Sequence, residues 1–345
     1  MKAKACAIAV AALLALPVLP AGAEEALNVV GYNRITAPAN SDVIVGVPFN
    51  QQAIGEYAVA SVTGTGLTVA GSPWTAGAYN NLYYVRMTSG TADGRWATVS
   101  SNTANELVLA DTSFLGDLAV GDTFALYPHQ TLSKVFPDGL AGRSFIASTG
   151  SGFGLQIKTR VLLWTPTVGT NQSPAQTYYF HESGQWRTLA GANADNTVIA
   201  PNAVMVVRNS EDRELEYVVQ GSVHLDAQAQ VLQTHASPDD TYTFTGRPVP
   251  VKLKELGLGG TPAFQSSTGS GFGLVIKDKL LVFNNAATGT TKAPVATYYY
   301  HESGQWRTLA GANADDVEIG PSAGMVIRKI AGTPGDDVWT AQPPF

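Results

Sequence analysis

Two nineteen-residue segments of this chain are identical except at one position. Residues 177–195 read TYYFHESGQWRTLAGANAD and residues 297–315 read TYYYHESGQWRTLAGANAD, so that Phe180 becomes Tyr300. A shared string of this length indicates duplication of an ancestral segment. The chain must therefore fold into at least one structural unit that is built twice.

A second repeated string lies upstream of the first in both copies. STGSGFGL occupies 148–155 and 267–274, which lie 119 residues apart, whereas the longer strings lie 120 residues apart. One copy therefore contains a single additional residue between the two strings. A repeating unit of this length predicts two small β-rich modules rather than a short-period solenoid.

The first 23 residues have the pattern of a secretory signal peptide. Lys2 and Lys4 form a positive segment, an apolar stretch follows at 7–17, and the Ala-Gly-Ala at 21–23 has the small residues of a cleavage site. We expect the mature chain to begin near Glu24. The predicted location is secreted: extracellular, at the cell surface or in the periplasm.

Composition excludes several kinds of site and partner. Cys6 is the only cysteine, so the mature chain would contain neither disulfide bonds nor thiolate metal sites. No later segment approaches the ~18 apolar residues of a membrane-spanning helix, so no transmembrane segment is predicted. The net charge of −6 becomes −8 once the two signal lysines are removed, which disfavours nucleic acid as a partner.

The composition also predicts the fold class. Charged residues are only 14% of the chain, against 35 glycines and 19 prolines, which is typical of many short strands joined by turns. We expect an all-β fold of β-sandwich- or barrel-like modules, with the internal duplication plus an N-terminal β domain. Alternating or β-branched segments predict strands at 26–35, 43–47, 66–70, 82–87, 96–100, 106–110, 123–127, 155–164, 203–208, 274–283 and 324–328. Short helical turns are expected at 130–136 and 251–256.

These patterns divide the chain into six segments. They are a signal peptide at 1–23, an N-terminal β domain at 24–128, repeat module 1 at 129–215, connecting strands at 216–250, repeat module 2 at 251–335 and a C-terminal tail at 336–345. Residues 216–250 faintly resemble the start of the mature chain. That likeness suggests an insertion at 50–128 in the first copy.

The repeated string TYYFHESGQWRTL predicts a β-hairpin. Ser183 and Gly184 suit the two central positions of a tight turn. In that register His181 lies opposite Trp186, on the same face as Tyr179. One face of the hairpin is expected to be core and the other partly exposed to water.

Several longer strings resemble an uncharacterised family of secreted, β-rich bacterial proteins of about this length. The strings are LNVVGYNRITAPANSDVIVGVPF, YYVRMTSGTADGRWATVSSNTANELVL, VGDTFALYPHQTLSKVFP and the repeated YYxHESGQWR. The family has no assigned activity. The resemblance therefore implies export and an all-β build, and it assigns no catalytic residue.

No motif indicates catalysis or a cofactor. The repeated His-Glu pair at 181–182 invites a metal or acid–base hypothesis, but adjacent strand residues point to opposite faces of a sheet. The string H-E-x-x-H is absent, and the sequence places no histidine and acid partners for the serines of STGSG at 148–152. Acidic loops offer oxygen ligands for calcium, yet they lack the alternating spacing that surrounds one ion. We predict that the protein is not an enzyme and has neither a cofactor nor a metal site.

The two copies diverge unevenly. The loops at 165–176 and 284–296 are almost unrelated, whereas the hairpin retains even Gln185 and Arg187. In one explanation the hairpin is an interlocked unit of packing and loop capping, with arginine lying over aromatic rings. In the other, both hairpins present the same side chains to a repeating partner.

Three hypotheses of function follow. The first is an exported, non-catalytic structural protein of the cell surface or extracellular matrix, whose duplicated modules serve architecture or self-association. The second is a bivalent carbohydrate- or polymer-binding protein with exposed hairpins. Its candidate binding residues are Tyr179, Trp186, Arg187, Tyr299, Trp306 and Arg307. The third, a hydrolase that uses repeated carboxylates, has no recognisable motif behind it.

Overall fold

The structure is a computed structural model that describes residues 30–137, 145–164, 176–224, 226–238 and 240–341. These residues form 25 β-strands, a few short 3-10 turns and one short α-helix. The prediction of an all-β fold is confirmed. The predicted signal peptide at 1–23 and most of the divergent loop at 165–176 lie outside the described residues.

Short strands follow one another along almost the whole described chain. In chain order the elements are β1 (Val30–Ala37), β2 (Ser41–Gly46), β3 (Gly55–Ala58), β4 (Ser61–Val62), β5 (Gly66–Thr68), β6 (Tyr83–Met87), β7 (Trp96–Asn102), β8 (Glu106–Leu109), β9 (Thr123–Pro128), β10 (Gln130–Thr131), α1 (Leu132–Val135), β11 (Arg160–Leu163), β12 (Gln176–His181), β13 (Gln185–Thr188), β14 (Val198–Ile199), β15 (Val204–Asn209), β16 (Leu215–Ser222), β17 (Gln228–Thr234), β18 (Thr241–Thr245), β19 (Val251–Lys252), β20 (Lys279–Val282), β21 (Ala296–His301), β22 (Gln305–Thr308), β23 (Glu318–Ile319), β24 (Met325–Lys329) and β25 (Gly335–Ala341).

The first module is a five-stranded antiparallel sheet with a two-stranded ribbon beside it. The sheet has the order β13-β12-β11-β15-β2, and the ribbon is β1 paired with β16. Alternate residues of the sheet face the ribbon, as the two-residue period of a strand requires. One core cluster includes Val43 and Val207 of the sheet together with Ile35 and Tyr217 of the ribbon.

The second module repeats this arrangement. Its sheet has the order β18-β24-β20-β21-β22, and its ribbon is β17 paired with β25. Short ladders lie beside each sheet, β10 with β14 in the first module and β19 with β23 in the second. The helical turns predicted at 130–136 and 251–256 are present as α1 and as a 3-10 turn at Leu253–Glu255.

A separate seven-stranded sheet is inserted into the first module. Its order is β3-β9-β6-β7-β8-β5-β4, so that residues 55–128 supply all its strands. It has its own core, in which Val85, Leu107 and Phe124 are buried. This arrangement agrees with an insertion at 50–128.

Strand pairing groups the rest of the chain differently from the predicted segments. β1 and β2 pair with β16 and β15, so residues 30–46 belong to the first module rather than to an N-terminal domain. β17 and β18 pair with β25 and β24, so the predicted connecting strands divide between the modules. Residues 336–341 of the predicted C-terminal tail belong to β25, one of the two strands of the second module's ribbon. Local patterns identify strands but not distant partners.

The two modules meet at a pair of glycines. Gly46 and Gly246 each precede a residue and a proline, in the strings GVP and GRP, and lie 200 residues apart. A Cβ on either glycine would lie 2.8 Å from the Cα of the other. No side chain fits at this contact, so glycine is required on both sides. The spacing exceeds the 120 residues between the hairpins because the insertion lies only in the first copy.

The divergent loop of the second module covers an edge of the first module's sheet. The side-chain amide of Asn285 makes two hydrogen bonds to the backbone of Ile44, both at 2.8 Å. The N–H of Asp42 donates to Gly289 O at 3.0 Å. An uncovered edge strand invites pairing with other chains. Covering β2 therefore gives the loop at 284–296 a structural role of its own.

Candidate functional site

The duplicated hairpins are β12–β13 in the first module and β21–β22 in the second. His181 lies opposite Gln185, and the second hairpin has the same register. The turn therefore contains three residues, 182–184, and Gly184 has a φ of 78°. Three-residue loops of this kind, with a left-handed glycine, are common in hairpins. The predicted two-residue turn, with His181 opposite Trp186, is wrong by one residue.

That shift moves each side chain of the second strand to the opposite face relative to the side chains of the first strand, so that Trp186 lies on the face of Phe180 rather than on that of His181. Trp186 packs against Phe180 in the core, with ring centroids 5.6 Å apart. Its Nε1 donates a hydrogen bond to Phe136 O at 3.2 Å. Trp186 and Trp306 are each only 1% exposed. The indole rings are core side chains, so the prediction that they form an exposed binding platform is wrong.

The other four candidate residues lie on the outer face of each sheet, the face away from the core. Tyr179 and Tyr299 are 2% and 1% exposed. Arg187 and Arg307 are half-buried. Each guanidinium donates to the hydroxyl of the hairpin-loop serine, at 3.0 Å in the first module and 3.1 Å in the second. Of the six candidates, only the two arginines are accessible from solvent.

His181 and Glu182 hold one glycine of the STGSGFG loop. The Glu182 carboxylate accepts the N–H of Gly150 at 3.0 Å, and His181 Nε2 lies 3.0 Å from the carbonyl oxygen of the same glycine. Because a carbonyl can only accept, Nε2 carries the proton. Nδ1 accepts the N–H of Ser183 at 3.1 Å. Both ring nitrogens are therefore used within the protein, which argues against His181 as a metal ligand.

The same clamp occurs in the second module. Glu302 accepts the N–H of Gly269 at 2.9 Å, and His301 Nε2 lies 2.8 Å from its carbonyl oxygen. The two repeated strings of the sequence therefore hold each other. This contact gives a structural reason why both strings remained the same in the two copies.

Each clamped loop presents a phenylalanine to solvent. Gly150 has a φ of 79°, and a Cβ there would lie 2.4 Å from Gly154 O, so this position requires glycine. Further along the loop, Phe153 has a relative exposure of 115%, and Phe272 in the second module has 113%. A ring that contacts so little protein adds almost nothing to packing. The identity of the ring in both copies therefore needs another explanation.

We call each clamped loop, together with its hairpin loop, a tip. The first tip is 148–156 with 182–184, and the second tip is 267–275 with 302–304. Sequence reasoning used STGSGFGL only as evidence of duplication and missed the phenylalanines. An identical aromatic residue within a Gly/Ser loop was the available signal.

Asp195 and Asn193 close the loop that follows the first hairpin. Asp195 Oδ1 accepts the N–H of Trp186 at 2.7 Å, and Oδ2 accepts from Asn193 Nδ2 at 3.0 Å. Asp315 makes the equivalent bonds at 2.8 and 3.2 Å. The repeated GANAD string therefore acts as a cap, as expected if the hairpin is an interlocked unit of packing and loop capping.

Metal-ligating side chains and an open cavity are the other features of the described surface that bear on chemistry. Among the described residues, no group of three or more His, Cys, Asp or Glu side chains is placed to hold a metal ion. An open cavity of about 320 Å³ lies between the insertion and the second module, where Ser113, Tyr242 and Asp336 contribute to its wall. Its lining contains no histidine.

Comparisons with known proteins identify no relative of the chain. No protein-family model matches it, and neither a curated protein nor a solved structure does. The resemblance to a secreted bacterial family therefore stays a prediction. None of the helices in the described ranges has the length and apolar character needed to span a membrane.

Proposed function

We propose that this protein is an exported, non-catalytic structural component of the cell surface or extracellular matrix that self-associates through its two tips. The observation that carries the proposal is the full exposure of Phe153 and Phe272 on equivalent, clamped loops. A hydrogen-bonded loop that displays an apolar ring favours contact with a partner over a role in the fold.

The chemistry of the tips favours a second copy of this chain as that partner. The STGSGFG loop contains no charged residue, although the whole chain carries a net charge of −6. Contact between two such loops brings no like charges of their own together, and the one carboxylate of each tip, Glu182 or Glu302, already accepts the N–H of the clamped glycine. Burial of each phenylalanine contributes roughly 1.5–3 kcal/mol, and a ring pair adds about 0.5–1.5 kcal/mol. A single tip-to-tip contact is therefore weak.

Two tips on one chain allow an open assembly. A chain with two equivalent contacts can join two neighbours, and repetition of that contact gives chains or filaments unless the geometry closes a ring. Many weak contacts then act together through their effective concentration. Such an assembly suits a surface layer or a matrix.

Sedimentation of residues 24–345 over a range of concentrations tests the proposal. We expect oligomers that grow with concentration. The double variant Phe153→Ala with Phe272→Ala should be monomeric, and either single variant should stop at dimers because only one tip remains. Leu189→Ala with Leu309→Ala is the matched control, since this equivalent pair is 55% and 54% exposed but lies outside the tips.

Two results would overturn the proposal. One is a monomer at every concentration of the unmodified chain. The other is an unchanged oligomer distribution in the double phenylalanine variant. Circular dichroism of each variant shows whether the fold is retained.

The alternative hypothesis of a carbohydrate- or polymer-binding protein loses its predicted basis, because Trp186 and Trp306 are buried. A polymer partner would have to be recognised by other side chains. The outer faces of the two sheets offer such side chains.

A further inference from the structure

A row of cationic side chains crosses the outer face of each sheet. In the first module, strand register aligns Arg187, Tyr179, Arg160, Arg208 and Asp42 on neighbouring strands. In the second module, the corresponding row is Arg307, Tyr299, Lys279, Arg328 and Tyr242. Both rows therefore place a tyrosine between two cations. Sequence reasoning identified Arg187 and Arg307 but missed Arg160 and Lys279, because only strand pairing brings them together.

One cation of each row is neutralised within the protein. Arg208 donates two hydrogen bonds to the Asp42 carboxylate, at 2.7 and 2.8 Å. Arg328 pairs with Asp240 at 2.6 Å. These bonded pairs leave little charge for a partner.

The cations that flank the tyrosines have no such partner. Within the described parts of the chain, no carboxylate lies within 4.0 Å of a charged nitrogen of Arg160, Arg187, Lys279 or Arg307. The Nε atoms of Arg160 and Arg187 are buried and make no hydrogen bond. A partly buried cation without a counter-charge favours binding of an anion.

The second row shows the electrostatic cost of this arrangement. Burial lowers the pKa of Lys279, and the neighbouring Arg328 lowers it further, while Asp240 opposes this. An anion bound beside Lys279 would offset the unfavourable electrostatic energy of the buried charge and of its repulsion by Arg328. It would also hold the lysine in its charged form.

Neutral polar groups accompany the cations. Thr177 and Gln185 lie on the outer face of the first module, and Thr297 and Gln305 occupy the equivalent positions in the second. All four are partly exposed. Hydroxyl and amide groups beside a guanidinium can bond both to the carboxylate and to the hydroxyls of an acidic sugar.

We propose that the two cationic rows bind an acidic polysaccharide, a linear polymer of carboxylated sugars. The partner must present anionic groups along a line, since each row runs straight across neighbouring strands that lie about 4.8 Å apart. Two equivalent rows on one chain allow one polymer to occupy both, which strengthens weak single-site binding. This surface does not include the phenylalanine tips, so the inference is independent of self-association.

Binding of the mature protein to polygalacturonate, measured by biolayer interferometry at low ionic strength, tests the proposal. We expect binding that weakens as salt is added, because exposed charges are screened. Neutral dextran should not bind. Arg160→Gln with Arg187→Gln should weaken binding at least tenfold, and so should Lys279→Gln with Arg307→Gln. The quadruple variant, which combines all four substitutions, should not bind.

The control variant has the same change of charge as each pair. Arg34→Gln with Lys134→Gln removes two exposed cations outside the rows and should leave binding within twofold of the unmodified protein. The double phenylalanine variant should also still bind polygalacturonate. If the quadruple variant keeps the circular dichroism spectrum of the unmodified protein, unfolding is excluded as the cause of lost binding.

Three results would overturn the proposal. If the control variant loses as much binding affinity as the double variants in the rows, binding depends only on net charge. If the quadruple variant binds as tightly as the unmodified protein, the rows are not the binding site. Tighter binding of polyglutamate than of polygalacturonate would assign the rows to an acidic polypeptide instead.

Discussion

A single glycine in each copy joins the two strings that are repeated in the sequence. Gly150 bonds to His181 through its carbonyl and to Glu182 through its N–H, so neither string can change freely without loss of a hydrogen bond between them. The position also requires glycine, because its backbone is left-handed and its Cα faces a carbonyl oxygen. At the scale of residues, repetition in this chain reflects a mutual clamp as well as display of Phe153.

Substitution of Gly150 tests the steric part of this requirement. Gly150→Ala should destabilise the protein by more than Gly184→Ala, although both positions have nearly the same φ, at 79° and 78°. A left-handed alanine costs roughly 1–2 kcal/mol at either position. Only at Gly150 does the added Cβ meet a backbone oxygen, at 2.4 Å, whereas at Gly184 it meets nothing within 4 Å. Urea unfolding measures both changes, and equal destabilisation would contradict the clash.

At the scale of elements, equivalent strands of the two modules solve the same packing problem with different polar groups. In the first module, Thr159 directly precedes β11 and Asn209 is the last residue of β15. Both side chains are buried. The equivalent residues of the second module are Asp278 and Lys329, both 0% exposed. Burial raises the pKa of Asp278, while two backbone N–H groups and Lys329 oppose this. The second module therefore has a buried charge pair where the first has a neutral pair.

A double-mutant cycle tests the coupling of that buried pair. Lys329→Asn should destabilise the protein by about 3–5 kcal/mol, because it leaves Asp278 buried without its nearby cation. Asp278→Thr combined with Lys329→Asn restores the neutral residues of the first module and should cost less than the sum of the two single changes. Lys329 also bonds to Asp337 at 2.9 Å, so part of the cost will remain. Additive costs in urea unfolding would show that the pair is not coupled.

At the scale of the whole molecule, the insertion is attached to the modules through buried polar and aromatic groups. Tyr84 of β6 donates to Asn50 Oδ1 at 3.1 Å and lies 3.4 Å from His224 Nε2. His129, which follows β9, lies 3.0 Å from Thr98 Oγ1. The insertion therefore contacts the first module through Tyr84 and His224, and the buried His129 lies beside this junction, with its ring 4.8 Å from that of Tyr84.

These histidines predict that stability depends on pH. Burial lowers the pKa of His129 to about 4, and burial together with the charge of Arg86 lowers that of His224 well below its ordinary value. An unfolded histidine titrates near pH 6.5, so the unfolded chain binds more protons than the folded chain between pH 6.5 and about 4. Stability should therefore fall as pH is lowered through this window, by up to about 3 kcal/mol for His129 alone.

The measurement is the urea midpoint at pH 7.5 and at pH 5. His129→Gln should reduce the difference between the two midpoints. His235→Gln, which changes a histidine outside the junction, should leave the difference as it is. A midpoint that does not change with pH in the unmodified protein would contradict the prediction.

Much of the strand content could be predicted because alternation is a local property. Strands were expected at 82–87, 96–100 and 106–110, and β6, β7 and β8 lie there. The hairpin was also expected, but the predicted loop had two residues, whereas the loop in the structure has three, 182–184. Since side chains alternate along a strand, that single step transferred Trp186 from the expected face to the core.

The candidate site was predicted only in part. The repeated strings drew attention to Tyr179, Trp186 and Arg187, yet Arg160 and the exposed ring of Phe153 were missed. Arg160 is brought beside Tyr179 by pairing between β11 and β12, across a loop whose sequence differs in the two copies. Exposure of Phe153 depends on what packs around its loop, which no local pattern contains.

The amino-acid sequence by itself determined the duplication, the all-β class and the position of most strands, because composition, repetition and alternation act over short distances along the chain. Only the tertiary structure decided that residues 30–46 complete the first module, that the tryptophans are buried and that cations align across each sheet. These properties depend on which distant strands pair and in which register. A pairing register joins residues far apart in the chain, so it can be known only once the strands are assembled.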